Sequence, residues 1–282
     1  MNKPALLAAL LCPLLSLTSP AARAQDKDWK LVWSDEFDRD GLPDPAKWVY
    51  EQGFLRNQEV QFYTEGRKKN ARVEGGNLIL EGRKENYPVP AGAPNAVGRD
   101  AAEYTAASLT TEGKASWRYG RLEVRAKIPG GKGTWPAFWT LGTNIRQVGW
   151  PECGEIDVLE FVGKEQPVRL HSTVHYEDRA EGKKRSAGNR LEVPDAHDEF
   201  HRYTVEWDEH AIRFLMDDRP VGTSFDVDKA GLGEDNPFRK PHYLLVNLAL
   251  GGTWGGPVID AAALPQQYVI DYVRVYQRPG GR

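Results

Sequence analysis

Three carboxylates in the segment Gly154-Glu155-Ile156-Asp157-Val158-Leu159-Glu160-Phe161 have the types and spacing for acid–base and nucleophilic work on an acetal carbon. Strand alternation puts Glu155 and Asp157 on one face and turns Ile156 and Val158 to the other. Glu160 falls on the wrong face by parity, and one bulged residue near Val158 or Leu159 returns it to the side of the other two. Retaining cleavage of a glycoside needs two carboxyl groups about 5–5.5 Å apart, one to attack the anomeric carbon and one to protonate the departing oxygen. Residues two apart on a strand face are about 6.5–7 Å apart at Cα. Glu155 and Glu160 therefore bracket a sugar ring better than either does with Asp157. Asp157 between them can hydrogen-bond one carboxylate and hold their pKa values apart, so that one ionises while the other stays protonated. The bland alternative is a solvated acidic strand or a calcium site. Three acids on an otherwise apolar strand beside Trp-rich segments count against it, because charges avoid such places unless paired.

Residues suited to holding a sugar lie elsewhere in the chain. Trp135 and Trp139 share a parity on 134–141, so both can face one cleft and stack on glucose rings; the competing reading is two core tryptophans. On 243–250 the alternation leaves Asn247 opposite Leu244, Val246, Leu248 and Leu250. An Asn there needs a hydrogen-bond partner, either a substrate hydroxyl or a backbone group. Trp254 sits among glycines that permit unusual turns. His175 shares parity with His171 and Thr173, spaced like strand metal ligands, but no third ligand is apparent and zinc is not expected.

The elements that must carry these residues are short strands. Residues 121–128 put Leu122, Val124, Ala126 and Ile128 on one face and four charged residues on the other. Residues 203–207 and 212–216 continue the pattern, with Asp217-Asp218 as a turn. The segment 268–276 is rich in β-branched and aromatic residues. Helical period is scarce, so an all-β, antiparallel two-sheet sandwich is predicted. Residues 83–105 and 178–199, rich in Gly, Pro and charge, read as surface loops bordering the cleft.

Composition narrows the class further. Lys3, the apolar stretch of residues 5–17 and Ala22-Arg23-Ala24 predict a signal peptide over 1–24, a mature start at Gln25 and a secreted or periplasmic protein. Removing 24 of the 282 residues leaves 258, read as one domain, since no repeat or linker divides them. Loss of Lys3 and Arg23 takes the formal charge from −3 to −5. With no basic run, a nucleic-acid partner is not expected, nor a membrane partner after cleavage. Cys153 is then the one remaining cysteine; it has no nucleophile motif and reads as a buried filler. Nine Trp, eleven Tyr and nine Phe keep a carbohydrate partner in view.

Glu155-x-Asp157-x-x-Glu160 resembles the signature of glycoside hydrolase family sixteen in its bulged, laminarinase-like form. LVWSDEFD (31–38), KWVYE (47–51), the run 119–142, GWPECGEIDVLEFVG (149–163), NLALGGTWGG (247–256) and DYVRVYQ (271–277) extend the resemblance over nearly the whole mature chain. It implies a concanavalin-like β-jelly-roll sandwich with a concave substrate cleft and endo-acting, retaining cleavage of β-1,3-glucan by a monomer. It further implies Glu155 as nucleophile, Asp157 as assisting acid and Glu160 as general acid/base. Trp135, Trp139 and Trp254 are implied at the cleft, and His175 near the acid/base. Asn57, in a stretch where Gln58 replaces a second Asn, is implied as a sugar contact, and Arg121 as a residue near the catalytic centre. A structural Ca²⁺ is implied at Glu36, the Gly76 carbonyl and Asp271, an oxygen set that suits this ion. Other readings are the same mechanism on mixed-linkage glucan, agar or carrageenan, a transglycosylase, and a non-catalytic glucan-binding protein. The last loses the catalytic carboxylates, which this chain keeps.

Overall fold

The computed structural model describes residues 28–95, 98–228 and 231–279; the expected signal peptide lies outside the described residues. In chain order the strands are β1 (Lys30–Asp35), β2 (Val49–Glu51), β3 (Phe62–Tyr63), β4 (Ala71–Glu74), β5 (Asn77–Pro88), β6 (Ala101–Ala106), β7 (Ser108–Thr110), β8 (Gly120–Lys127) and β9 (Thr134–Gly142). They continue as β10 (Glu155–Glu160), β11 (Arg169–Asp178), β12 (Lys183–Glu192), β13 (His201–Trp207), β14 (Ala211–Met216), β15 (Arg219–Pro220), β16 (Phe225–Asp226), β17 (His242–Leu250) and β18 (Gln266–Gln277).

Two sheets form, as the alternating pattern requires. One runs β12-β11-β10-β9-β17-β7-β2 and carries the cleft on its outer, concave face. The other runs β15-β14-β13-β8-β18-β5-β6-β3, with β1, β4 and β16 paired alongside. Pairing is antiparallel except between β3 and β6. Helix is confined to single turns at Ile145–Val148, Pro237–Arg239 and Gly252–Gly255 among the described residues. None is long and apolar enough to cross a membrane.

The core lies between the sheets. Leu122, Val124, Ala126 and Ile128, with Ile270, Val273 and Val275, face Ile156, Val158, Val174, Leu244, Val246 and Leu248, all buried in one apolar cluster. Asp217 and Asp218 make the expected turn, both at positive φ, joining β14 to β15.

Two expectations are corrected. Residues 83–105 and 178–199 are only about half loop: the end of β5 and most of β6 lie in the first, and β12, in the second, pairs with β11 along its whole length. The charge that made 183–192 look like loop belongs to the edge strand of a sheet, where exposed Lys and Arg discourage further pairing. On the charged face of β8, Arg121 and Glu123 are also buried, whereas Arg125 and Lys127 stay partly exposed.

Candidate active site

β10 lies between β9 and β11, and its register on both sides fixes which groups meet. Glu155 stands opposite Leu141 and His175, Asp157 opposite Trp139 and Thr173, and Glu160 opposite Ala137 and His171. Register slips after Asp157 on both neighbours, the bulge that parity demanded. Val158 and Leu159 turn into the protein there, and all three carboxylates line one cleft of about 750 Å³.

Burial dominates the electrostatics. Asp157 is 2% exposed. Loss of water pushes the carboxyls of Glu155, Asp157 and Glu160 above their usual range, and the charge on Asp157 pushes Glu155 and Glu160 further. Three such groups cannot all ionise together at neutral pH. Two indole N–H donors act against the rise: Trp135 Nε1 donates to Glu160 Oε1 at 2.9 Å, and Trp150 Nε1 donates to Glu155 Oε2 at 2.9 Å. An acceptor bond on Glu160 Oε1 leaves Oε2 to carry the acidic proton.

A chain of polar groups builds one wall. Trp139 Nε1 donates to Asn247 Oδ1 at 2.7 Å, and Asn247 Nδ2 donates to the Tyr63 hydroxyl at 3.1 Å. That hydroxyl donates to Glu59 Oε2 at 3.0 Å, and Asn57 Nδ2 donates to Glu59 Oε1 at 3.3 Å. The Arg56 guanidinium lies 5.1 Å from the Trp139 ring centroid. Trp254 meets Trp135 edge-on at 5.4 Å and His171 at 4.8 Å, and His171 Nε2 lies 2.8 Å from Glu165.

The cleft thus brings together Glu155, Asp157, Glu160, Asn57, Trp135, Trp139, His175, Asn247 and Trp254. Two expectations change, those for Asn247 and Arg121. Asn247 is satisfied by Trp139 and Tyr63, neither a backbone group nor a sugar. His175 lies opposite Glu155, its Nε2 3.2 Å from Asp157 Oδ2 and 3.8 Å from Glu155 Oε1, and it also acts electrostatically on Glu160. Arg121 is remote from the cleft. It lies on β8 in the other sheet, bonded to Glu123 at 2.7 Å, Glu206 at 3.0 Å and Asp218 at 2.8 Å.

Both carboxylates expected to hold calcium are engaged by guanidinium groups. Glu36 takes two bonds from Arg274, at 3.0 and 2.7 Å, and Asp271 takes one from Arg125 at 2.5 Å. An ion binding there would have to displace both guanidinium groups. Gly76 is in a turn at φ 77°, between β4 and β5.

Arg56 and Trp150 line the cleft without having been singled out from the sequence, and Glu59 lines it beside the expected sugar contact Asn57. Trp150 stands inside 149–163, a segment that carries the family resemblance, so position within a motif was the available signal.

Buried carboxylates on a bulged strand, inside a tryptophan-walled cleft, define a carbohydrate-cleaving enzyme of the two-carboxylate class. The chain belongs to glycosyl hydrolases family 16, whose family model matches residues 58–274. It is 43% identical to a beta-glucanase of Rhodothermus marinus over 96% of this chain and 93% of the relative. The crystal structure of the laminarinase from Rhodothermus marinus superposes with a TM-score of 0.77 at 45% identity, covering 89% of this chain and 98% of that one. A non-specific endo-β-1,3(4)-glucanase of the same family superposes at 0.78 and 38% identity, covering 90% and 92%.

Proposed function

We propose that this glycoside hydrolase cleaves β-1,3-glucan at internal bonds and retains the anomeric configuration. The observation that carries the mechanism is the bulge in β10, which gathers Glu155, Asp157 and Glu160 on one cleft face. The laminarinase and endo-β-1,3(4)-glucanase relatives support the substrate class, and the latter's breadth supports mixed-linkage glucan as a second substrate.

In the first step a Glu155 oxygen attacks the anomeric carbon as its bond to the departing sugar oxygen breaks, and the Glu160 proton goes to that oxygen. The product is a glycosyl ester on Glu155. Glu160, now ionised, takes a proton from water whose oxygen attacks the same carbon and releases Glu155. Two inversions give retention. Asp157, in hydrogen-bond contact with Glu155, opposes simultaneous ionisation of its neighbours. Trp135, Trp139 and Trp254 give the sugar rings apolar faces, and Asn57 and Glu59 offer polar atoms at one rim. The leader-like residues 1–24 support an exported enzyme that meets polymer outside the cytoplasm.

The test follows laminarin digestion by proton NMR and by oligosaccharide profile. The first product should carry the β-anomer, and early digests should hold a ladder of oligomers. An α-anomer appearing first would end the retaining mechanism. Release of glucose alone would end the endo reading, and a higher kcat/KM on agarose or carrageenan would move the substrate.

A further inference from the structure

Trp150 is a large aromatic side chain that packing does not explain. It is 44% exposed, so its ring contributes little to the core, yet its polar edge is aimed inward. Nε1 donates to Glu155 Oε2 at 2.9 Å. The ring is fixed from two other elements: His175 of β11 lies 6.0 Å away between centroids, and Lys184 Nζ of β12 sits 4.7 Å from the ring centroid. Loop, β11 and β12 therefore converge on one indole whose single hydrogen bond ends on a catalytic-strand carboxylate.

We propose that Trp150 is a positioning residue for Glu155: its N–H holds the carboxylate in one orientation and favours its charged form. The inference rests on Glu155 being the nucleophile. A carboxylate has two oxygens and rotates about its last torsion; a donor on Oε2 fixes that rotation and leaves Oε1, 3.8 Å from His175 Nε2, as the oxygen without an indole donor. A hydrogen bond to an ionised acceptor is stronger than one to its protonated form, so the same contact opposes protonation.

The other groups facing Glu155 divide by sign. Asp157 and Glu160 on its own strand oppose its ionisation, and His175 of β11 favours it. Lys184 of β12 stands beyond the indole. Cys153, in the preceding turn, has its thiol pushed up to about 12 by burial and by Glu155 itself, and is neutral. β9 presents Leu141, which carries no charge. Trp150 is therefore the uncharged donor in this set, and its removal tests the hydrogen bond apart from any change of net charge.

The experiment compares pH profiles of kcat/KM for wild type, Trp150→Phe and Trp150→His on laminarin oligosaccharides, with Glu155→Gln as control. Phe keeps a ring and loses the donor; His keeps a ring N–H. Loss of a hydrogen bond to a charged group, discounted for the exposure of the indole, should move the acidic limb of Trp150→Phe upward by about one pH unit. Activity then falls about tenfold on the acid side and much less on the plateau. Trp150→His should move the limb less than Phe does. A Trp150→Phe profile that is lowered uniformly with its limb unmoved, or two variants with identical shifts, would overturn the proposal. If Trp150→Phe does not fold, Trp150→Leu, which also lacks the N–H and adds no charge, is measured in its place: a limb raised by about one pH unit supports the role and an unmoved limb overturns it. Substantial turnover by Glu155→Gln would instead remove the nucleophile assignment.

Discussion

Glu155 and Glu160 have the same side chain and differ in what each carboxylate touches: Glu155 meets Asp157, His175 and Trp150, whereas Glu160 meets Trp135. Glu155→Gln and Glu160→Gln should each lower kcat on laminarin at least about a thousandfold, since each removes a covalent or proton-transfer role. Near-wild-type turnover in either folded variant would end the assignment. The same burial makes a stability prediction. The folded protein keeps the Glu155 proton to higher pH than the unfolded chain does, so between the two pKa values it binds more protons and loses stability as pH rises. Glu155→Gln removes that cost. It should melt above wild type near neutral pH, and the gap should close below about pH 4, where the carboxyl is protonated in both states. A lower melting temperature at neutral pH would count against it. The carboxylates were legible in sequence because six consecutive residues define their geometry. The reach of Glu59 across the cleft was not, because Tyr63, which bonds it, also bonds Asn247 184 residues further on, and no local pattern reports that contact.

At the level of elements, alternation identifies faces and does not say what covers them. It gave β8 an apolar inner face correctly. It did not show that half of the charged face is covered, and the family resemblance placed Arg121 near the catalytic centre, where it does not lie. Arg121 instead ties β8 to Glu206 of β13 and to Asp218 of the β14–β15 turn, and shields Glu123, which is 4% exposed. Arg121→Ala should therefore act on stability. Removing one partner of a buried ion pair costs about 3–5 kcal/mol, toward the lower end here because Asp218 is half exposed. Thermal melts should drop by several degrees while kcat/KM on laminarin stays unchanged. A lost kcat/KM with an unchanged melt would return Arg121 to the active site. His175 shows what register adds: parity put it on the cleft face, and the pairing of β10 with β11 sets it opposite Glu155.

For the whole molecule, all-β class and two packed sheets followed from alternation and the scarcity of helical period, because apolar faces of period two have few ways to leave water. Metal binding is a different problem, since it depends on how β1, β18 and the turn between β4 and β5 meet. Calcium at Glu36, Gly76 and Asp271 is the remaining proposal, and it has competitors in place. Arg274 and Arg125 already supply positive charge to the two carboxylates, so an ion must displace both guanidinium groups before it gains its ligands. Its affinity should then lie at the weak end of the calcium range, about 10⁻⁴–10⁻³ M. Stabilisation follows RT ln(1 + [L]/Kd), which is negligible at trace calcium and reaches about 2.7 kcal/mol only at a hundredfold excess over Kd. EDTA should therefore leave the melting temperature of protein in calcium-free buffer unchanged, while added calcium raises it progressively. Asp271→Ala should abolish that rise. Superimposable wild-type melts with and without excess calcium would assign the region to its arginine pairs alone, and a large EDTA-induced drop would mean that the ion binds tightly and that both pairs yield to it.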